Sequence, residues 1–298
     1  MRTGVLILAG PTASGKTALA VELARRFNAE IVNADSRQIY RGMDVGTAAP
    51  TREQQQGVAH HLFGFLEPRE RYSAARFTED AMRVTSEIAA RGKRAIVVGG
   101  TGFYLRALTG GVELAAAHDP DLRNRLAHEA RVHNAAFLHE WLQLRDARRA
   151  AMLAPGDTYR VLRALEVALA GPGAAVRTEP MRTLATENVP FLEVFLTIDA
   201  AELDARIERR TNAMLEGGLL EEAERVGADA VAADAVGYPQ ALAYLRGECT
   251  FAELRVLLIR ATRRYAKRQI AWFRNEPLAQ HLSADAVAAA AREKLGWV

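Results

Sequence analysis

Val5-Leu6-Ile7-Leu8-Ala9, followed without a break by Gly10-Pro11-Thr12-Ala13-Ser14-Gly15-Lys16-Thr17, is the stretch that decides the fold. The first five residues are a β-branched and leucine-rich run, long enough for a buried strand and too short to span a membrane. The next eight match the spacing G-x-x-x-x-G-K-T at every fixed position. Helix formers at helical spacing then fill Ala18 to Phe27. Strand, glycine loop and helix, in that order, make a phosphate grip. The glycines let backbone N–H groups curl around phosphate oxygens, and the helix N-terminus adds partial positive charge. Lys16 neutralises the anion and the Thr17 hydroxyl is available to Mg²⁺. The whole segment from Gly10 to Thr17 is therefore the expected diphosphate or nucleotide site.

Working outward, strands are expected at Glu30 to Ala34 and at Arg94 to Val98, the latter preceded by a helix from about Phe77 to Ala90 with Gly92 beyond its end. Strands alternating with helices imply a parallel sheet, so the fold class is α/β with a P-loop NTPase-like sheet flanked by helices. From Asp119 to Ala170 no strand pattern appears, and Asp119-Pro120 marks a helix start. This is a helical insertion, with Gly171 to Pro180 as a mobile connection to a strand at Phe191 to Ile198 that rejoins the sheet. Only helical patterns follow, the longest from about Phe251 to Arg274. The expected organisation is a catalytic core over 1–115 and 190–298, with an insertion domain over 116–189.

Composition narrows the partners. The 298 residues carry a net charge of only +3, but the basic residues are clustered. Arg255, Arg260, Arg263, Arg264, Lys267, Arg268 and Arg274 fall in or beside the last long helix against the single acid Glu253, which points to nucleic-acid phosphates. The insertion adds Arg123, Arg125, Arg131, Arg145, Arg148, Arg149, Arg160 and Arg163. Cys249 is the only cysteine, which excludes an intrachain disulfide and a cysteine metal site and suits a reducing, cytoplasmic setting. No membrane association is expected.

The loop alone leaves its ligand open, because a nucleoside triphosphate and an alkyl diphosphate present similar oxygens. A nucleotide engine usually carries an acidic residue at the end of a second apolar strand. Here Ala95-Ile-Val-Val runs into Gly99-Gly100-Thr101-Gly102 instead. The acid nearest to that role is Asp35, after the strand ending at Ala34; a metal partner and a base are both open to it.

Asp35-Ser36-Arg37-Gln38-Ile39-Tyr40 with Gly42-Met43-Asp44-Val45-Gly46-Thr47 resembles the signature of the tRNA dimethylallyltransferase (tRNA isopentenyltransferase) family. His60-His61-Leu62, Tyr72-Ser73-Ala74 with Phe77, Gly99 to Tyr104, Arg163-Ala-Leu-Glu166-Val and Lys267-Arg268-Gln269 with Trp272-Phe273-Arg274 agree in the same order. The resemblance implies transfer of a dimethylallyl group from dimethylallyl diphosphate to N6 of the adenine at position 37, beside the tRNA anticodon, with Mg²⁺ assisting and a monomer acting. It makes Asp35 the base, Thr101 a positioning threonine, Lys16 a cation for the leaving group, and Arg206 and Arg210 its arginine partners. It places Asp35, Ser36, Arg37, Gln38 and Thr101 at the target nucleotide, and Arg123, Tyr159, Arg160 and Arg163 of the insertion on the tRNA. Gly237, Tyr238, Gln240, Arg264, Lys267, Arg268, Gln269, Trp272 and Arg274 are implied tRNA contacts as well. The pattern departs at Pro239, where arginine is usual, at Gly156, at Gly64 and at Ala271. A small-molecule kinase, an isopentenyltransferase acting on free adenine nucleotides and a non-catalytic RNA-binding module are the alternatives. The basic final helix and the size of the insertion favour tRNA over the first two, and Lys16, Thr17 and Asp35 together speak against the third.

Overall fold

The computed structural model describes residues 4–112, 119–170 and 181–298. Among them the chain runs β1 (Val5–Ala9), α1 (Lys16–Arg26), β2 (Ala29–Asn33), α2 (Asp44–Thr47), α3 (Arg52–Gln55), β3 (His60–His61), α4 (Ala74–Ala90), β4 (Arg94–Gly99) and α5 (Gly102–Thr109). The insertion contributes α6 (Pro120–Val132), α7 (Ala135–Arg145), α8 (Ala147–Ala150) and α9 (Thr158–Ala170). The remainder forms β5 (Phe191–Leu196), α10 (Ala200–Glu216), α11 (Leu219–Val226), α12 (Tyr238–Leu245), α13 (Phe251–Phe273), β6 (Ala279–Leu282) and α14 (Ala284–Leu295).

Six parallel strands form one sheet in the order β3-β2-β4-β1-β5-β6, the α/β architecture expected. β1 is wholly buried, with Ile7 opposite Val97 on one side and Glu193 on the other. A strand covered on both faces needs an unbroken apolar run, which is why Val5–Ala9 does not alternate. Leu6 and Leu8 pack with Leu23 of α1, with Phe27 at its C-cap, and with Val287 and Trp297 near the C-terminus. A second cluster joins Ile39, Tyr40 and Met43 to Leu219, Tyr238 and Leu258, so the loop after β2 is fastened to α11, α12 and α13.

Two strands escape the sequence pattern. β3 is only two residues long, and β6 is an edge strand whose Gln280 and His281 are exposed, so neither shows an apolar run. The expectation of helices alone after Ile198 is thus corrected by β6. His60 and His61 pair along β2, and His61 Nε2 lies 2.7 Å from a carboxylate oxygen of Glu30. Burial pushes the Glu30 carboxyl up, but hydrogen bonds from Arg91, Lys93 and His61 hold it down at about 2.

The chain divides into two compact units, Met1–Val112 with Arg182–Val298, and Glu113–Met181. The second unit packs α6, α7 and α9 around Leu126, Leu138, Leu142, Val161 and Leu165. Its first helix is capped by Asp119, whose carboxylate accepts from the Asp121 and Leu122 amides. The borders lie before the sequence-based positions 116 and 189. Leu184 is fully buried and its amide donates to Leu108 of α5, which ties that segment to the first unit. The connection expected at Gly171 to Pro180 lies outside the described residues.

Candidate active site

The loop after β1 has the backbone its sequence requires. Gly15 sits at φ +89°, a conformation that favours glycine, and a Cβ there would come 2.9 Å from Arg206 Nη1. Arg206 of α10 donates to the Ser14 carbonyl at 2.9 Å and to Glu202 at 2.7 Å. Ser14 Oγ is buried without a partner and lies against Gly10, where a Cβ would approach it to 2.8 Å. Lys16 opens α1 and folds back toward the Pro11 carbonyl at 3.4 Å. Burial lowers its ammonium to about 8, a drop opposed by Asp35 and reinforced by Arg210.

The Asp35 turn is held at the C-terminal end of β2. Its amide takes the Asn33 side-chain oxygen at 2.9 Å, and its own carboxylate accepts from the Arg37 amide at 2.9 Å. Ser36 N–H donates to Thr101 Oγ1 at 3.0 Å, joining the ends of β2 and β4. The glycines around Thr101 mark close approaches. A Cβ on Gly99 would sit 2.2 Å from the Ala34 carbonyl group, one on Gly100 2.0 Å from Gln269 Nε2, and one on Gly102 2.1 Å from Trp272 Nε1. Where a nucleotide engine has an acid, this chain has a bare turn that admits side chains from α13.

Arg210 is half-buried, donates to the Thr47 carbonyl at 3.1 Å, and has its acidity raised by desolvation against the opposing charge of Asp35. The α2 segment beneath is anchored by Glu222, which accepts from the Val45 and Gly46 amides at 3.0 and 2.7 Å and from the Tyr238 hydroxyl at 2.8 Å. Beside the loop, a cleft of about 930 Å³ is lined by Lys16, Arg206 and Arg210 together with Val45, Pro50 and Met214. Cations and apolar side chains lining one cleft suit an alkyl diphosphate. Among the described residues no cluster of three His, Cys, Asp or Glu side chains could hold a metal unaided. Mg²⁺ rarely needs one, because it takes most of its oxygens from water and substrate phosphates. The half-buried Thr17 hydroxyl at the start of α1 and the phosphates of a bound donor make a fitting donor set.

Several residues expected at the tRNA have partners within the protein. Tyr238 is fully buried against Glu222, and the Gly237 amide takes Gln240 Oε1 at 3.0 Å as a helix cap. Gln269 is 5% exposed, its Oε1 accepting from the Thr12 amide at 2.7 Å and its Nε2 donating to the Gly100 carbonyl at 3.0 Å. Gln38 donates to the carbonyls of Thr47 and Ala48 at 3.1 Å each, and Arg37 is paired with Asp234 at 2.9 Å. Trp272 is half-buried beneath the Arg106 guanidinium, 4.4 Å from its ring centre. Arg264, Lys267, Arg268 and Arg274 are exposed. In the second unit Arg160 pairs with Asp157 and Arg163 with Glu166, while Tyr159 is 75% exposed and Arg123 half-buried. Neither Glu222 nor Tyr265 is among the site residues read from the sequence. Tyr265 lies in the field of Asp35, Arg37, Arg268 and Arg210, one helical turn before Gln269, a spacing that signals a shared face.

A family model described as "IPP transferase" matches residues 38–276, and one described as "Isopentenyl transferase" matches residues 3–66. The chain is 42% identical over 281 residues to the tRNA dimethylallyltransferase of Geobacter sulfurreducens, covering 93% of this chain and 90% of that protein. It is 46% identical over 278 residues to that of Anaeromyxobacter dehalogenans, covering 91% and 92%. Among solved structures it is similar to the full-length tRNA isopentenylpyrophosphate transferase of Bacillus halodurans, with a TM-score of 0.72, 34% identity and coverage of 99% and 97%. A eukaryotic dimethylallyltransferase acting on tRNA shares the fold, with a TM-score of 0.73 at 23% identity over 98% of this chain and 76% of that one.

Proposed function

The chain belongs to the IPP transferase family and is a tRNA dimethylallyltransferase, and from that premise we propose that its target is N6 of the adenine at position 37, beside the anticodon. The observation that carries the residue roles is the meeting of three strand ends: the Lys16 loop after β1, Asp35 after β2 and Thr101 after β4.

Dimethylallyl diphosphate seats its phosphates in the Gly10–Thr17 loop, with Lys16 as the charge partner. Ser14 Oγ, buried and unpartnered, is a further donor to them. The N6 lone pair attacks the allylic carbon, the carbon–oxygen bond breaks, and its electron pair leaves on diphosphate. An exocyclic adenine amine is a poor nucleophile, so loss of its proton to the Asp35 carboxylate assists attack. Thr101, held to Ser36, positions the amine. Arg206 braces the loop through the Ser14 carbonyl, and Arg210 adds positive charge beside Lys16 and Asp35. Mg²⁺, held by Thr17 and the phosphates, would supply further charge neutralisation.

The adenine must be splayed from its loop to reach this centre. Arg260, Arg264, Lys267, Arg268 and Arg274, exposed along α13, fit contact with tRNA phosphates. Unit Glu113–Met181, with Arg123, Tyr159, Arg160 and Arg163, is the proposed second tRNA-binding region. One chain carries every group invoked, so action as a monomer in the cytoplasm belongs to the proposal. No described helix is long and apolar enough to cross a membrane. The test is transfer of label from dimethylallyl diphosphate, with Mg²⁺, to unmodified tRNA bearing A37 and to the same tRNA with that adenine replaced. Label is expected on the first alone. Equal labelling of free AMP would overturn the reading.

A further inference from the structure

The strand order puts β4 between β1 and β2, so the Gly99–Thr101 turn separates the loop that grips the leaving group from the turn that carries Asp35. The residues after β2 are tied to β4 and its turn by the Ala34 amide, which donates to the Val98 carbonyl, and by the Ser36 amide, which donates to the Thr101 hydroxyl. On the β1 side the strand ladder ends with Ala9 opposite Gly99, and beyond it a side chain joins the loop to the turn. Gln269 Oε1 accepts from the Thr12 amide and Gln269 Nε2 donates to the Gly100 carbonyl. Both bonds are buried and span 257 and 169 residues of sequence.

We propose that Gln269 is a positioning residue for the transfer step: its amide clamps the P-loop to the β4 turn and thereby fixes the diphosphate relative to Thr101 and Asp35. This rests on the roles proposed for those residues. The geometry favours a dedicated clamp over general packing. Gly100 has no room for a Cβ because the Gln269 amide occupies that space, and the primary amide satisfies one donor and one acceptor at once. The Thr12 N–H is consumed by this bond, so the phosphate grip falls to the remaining loop amides. Gln269 also shares a face of α13 with Tyr265 and Trp272, at i−4 and i+3, while Arg264, Lys267 and Arg268 are exposed on that helix. The helix that presents cations outward therefore sets the geometry of the loop inward. A displacement of about 1 Å between reacting groups costs about 10²-fold in rate.

The decisive variants are Gln269→Met, close in size without hydrogen bonds, and Gln269→Glu, assayed with wild-type protein, dimethylallyl diphosphate and tRNA. In the Met variant kcat should fall at least about 30-fold, with KM for both substrates within about threefold. In the Glu variant the Thr12 bond survives at any pH, but donation to Gly100 needs a protonated carboxyl. Its kcat should therefore fall as pH rises, along a limb that neither wild type nor the Met variant shows. A folded Met variant with kcat within about threefold of wild type, or one that loses only tRNA affinity, overturns the proposal. Should the Met variant not fold, a Glu variant whose pH profile parallels wild type overturns it equally. Failure of wild type to label tRNA would instead strike the functional reading itself.

Discussion

The strand-end site and the outer face of α13 handle charge in opposite ways. At the strand ends Arg206 is bound to Ser14 and Glu202, Arg210 to Thr47, Arg37 to Asp234, and the Asp35 carboxylate to the Arg37 amide. On α13, Arg260, Arg264, Lys267 and Arg274 make no side-chain hydrogen bond or ion pair among the described residues. Arg255 and Arg263 of the same helix are committed to Asn212 and to Asp204 and Glu208 of α10. Fixed groups suit bond making, where orientation enters the rate directly. Free, solvated cations suit a polyanion, whose binding depends on the number of phosphates neutralised more than on their geometry.

The largest effect is expected where the fixed region meets the moving proton. Asp35→Asn keeps the turn's hydrogen-bonding shape but cannot take a proton, so kcat should fall by about 10³, within the range general-base removal gives. tRNA affinity should stay within a few-fold. A variant with unchanged turnover would remove Asp35 from the chemistry and leave the comparison without its fixed partner.

Next comes the cost of keeping an ionisable group inside the rigid region. Glu193 of β5 is buried, and burial, reinforced by Glu276 and opposed by Arg106, pushes its carboxyl up to about 7. The folded chain therefore holds a proton that the unfolded chain releases above about 4.5. Stability from this group is complete below about pH 4.5 and is lost as pH rises to about 7. Glu193→Gln should remove that loss, raising unfolding free energy at pH 8 by up to about 3 kcal/mol and leaving it unchanged near pH 4. Denaturant titration at the two pH values checks both halves.

The contrast also explains which parts of the molecule were legible in the sequence. The P-loop was legible because each fixed position answers a local demand, as Gly15 does through its positive φ. Asp35 and Thr101 enter the proposed site through family blocks, and the basic face of α13 through spacing, a property of one helix. Gln269, Tyr238 and Gln38, expected at the RNA from the family pattern, have protein partners that only the tertiary structure sets. Helical periodicity puts Gln269 beside Tyr265 and Trp272, but nothing in the sequence says that this face meets the Thr12 amide. β6 was missed for a related reason: a short edge strand owes its place to β5 rather than to an apolar run of its own.

Reversing charge on the free face should give a smaller and differently shaped loss. Arg264→Glu with Arg268→Glu should weaken tRNA binding about 10- to 30-fold at moderate salt, and flatten the log-affinity against log-salt slope by about 0.7 to 0.9 per lost contact. At saturating tRNA, kcat should match wild type. A kcat loss there, with an unchanged salt slope, would erase the division between fixed and free cations.

The finest test asks whether Lys16 is held as tightly in protonation as in space. Its ammonium is lowered to about 8 by burial, so above that pH a growing share of free enzyme lacks the charge that a diphosphate needs. The donor's own phosphates are already ionised above neutrality, since their last proton leaves near pH 6. Donor affinity should therefore be level up to about pH 8 and fall toward tenfold per unit beyond it, while tRNA affinity keeps its value across that range. Asp35 raises the Lys16 ammonium, so Asp35→Asn should move the break to lower pH, and Lys16→Met should abolish it at the expense of weaker donor binding throughout. A break that stays put in the Asp35 variant would mean that the two groups do not share a field, and the meeting of the β1 and β2 ends would lose its electrostatic content.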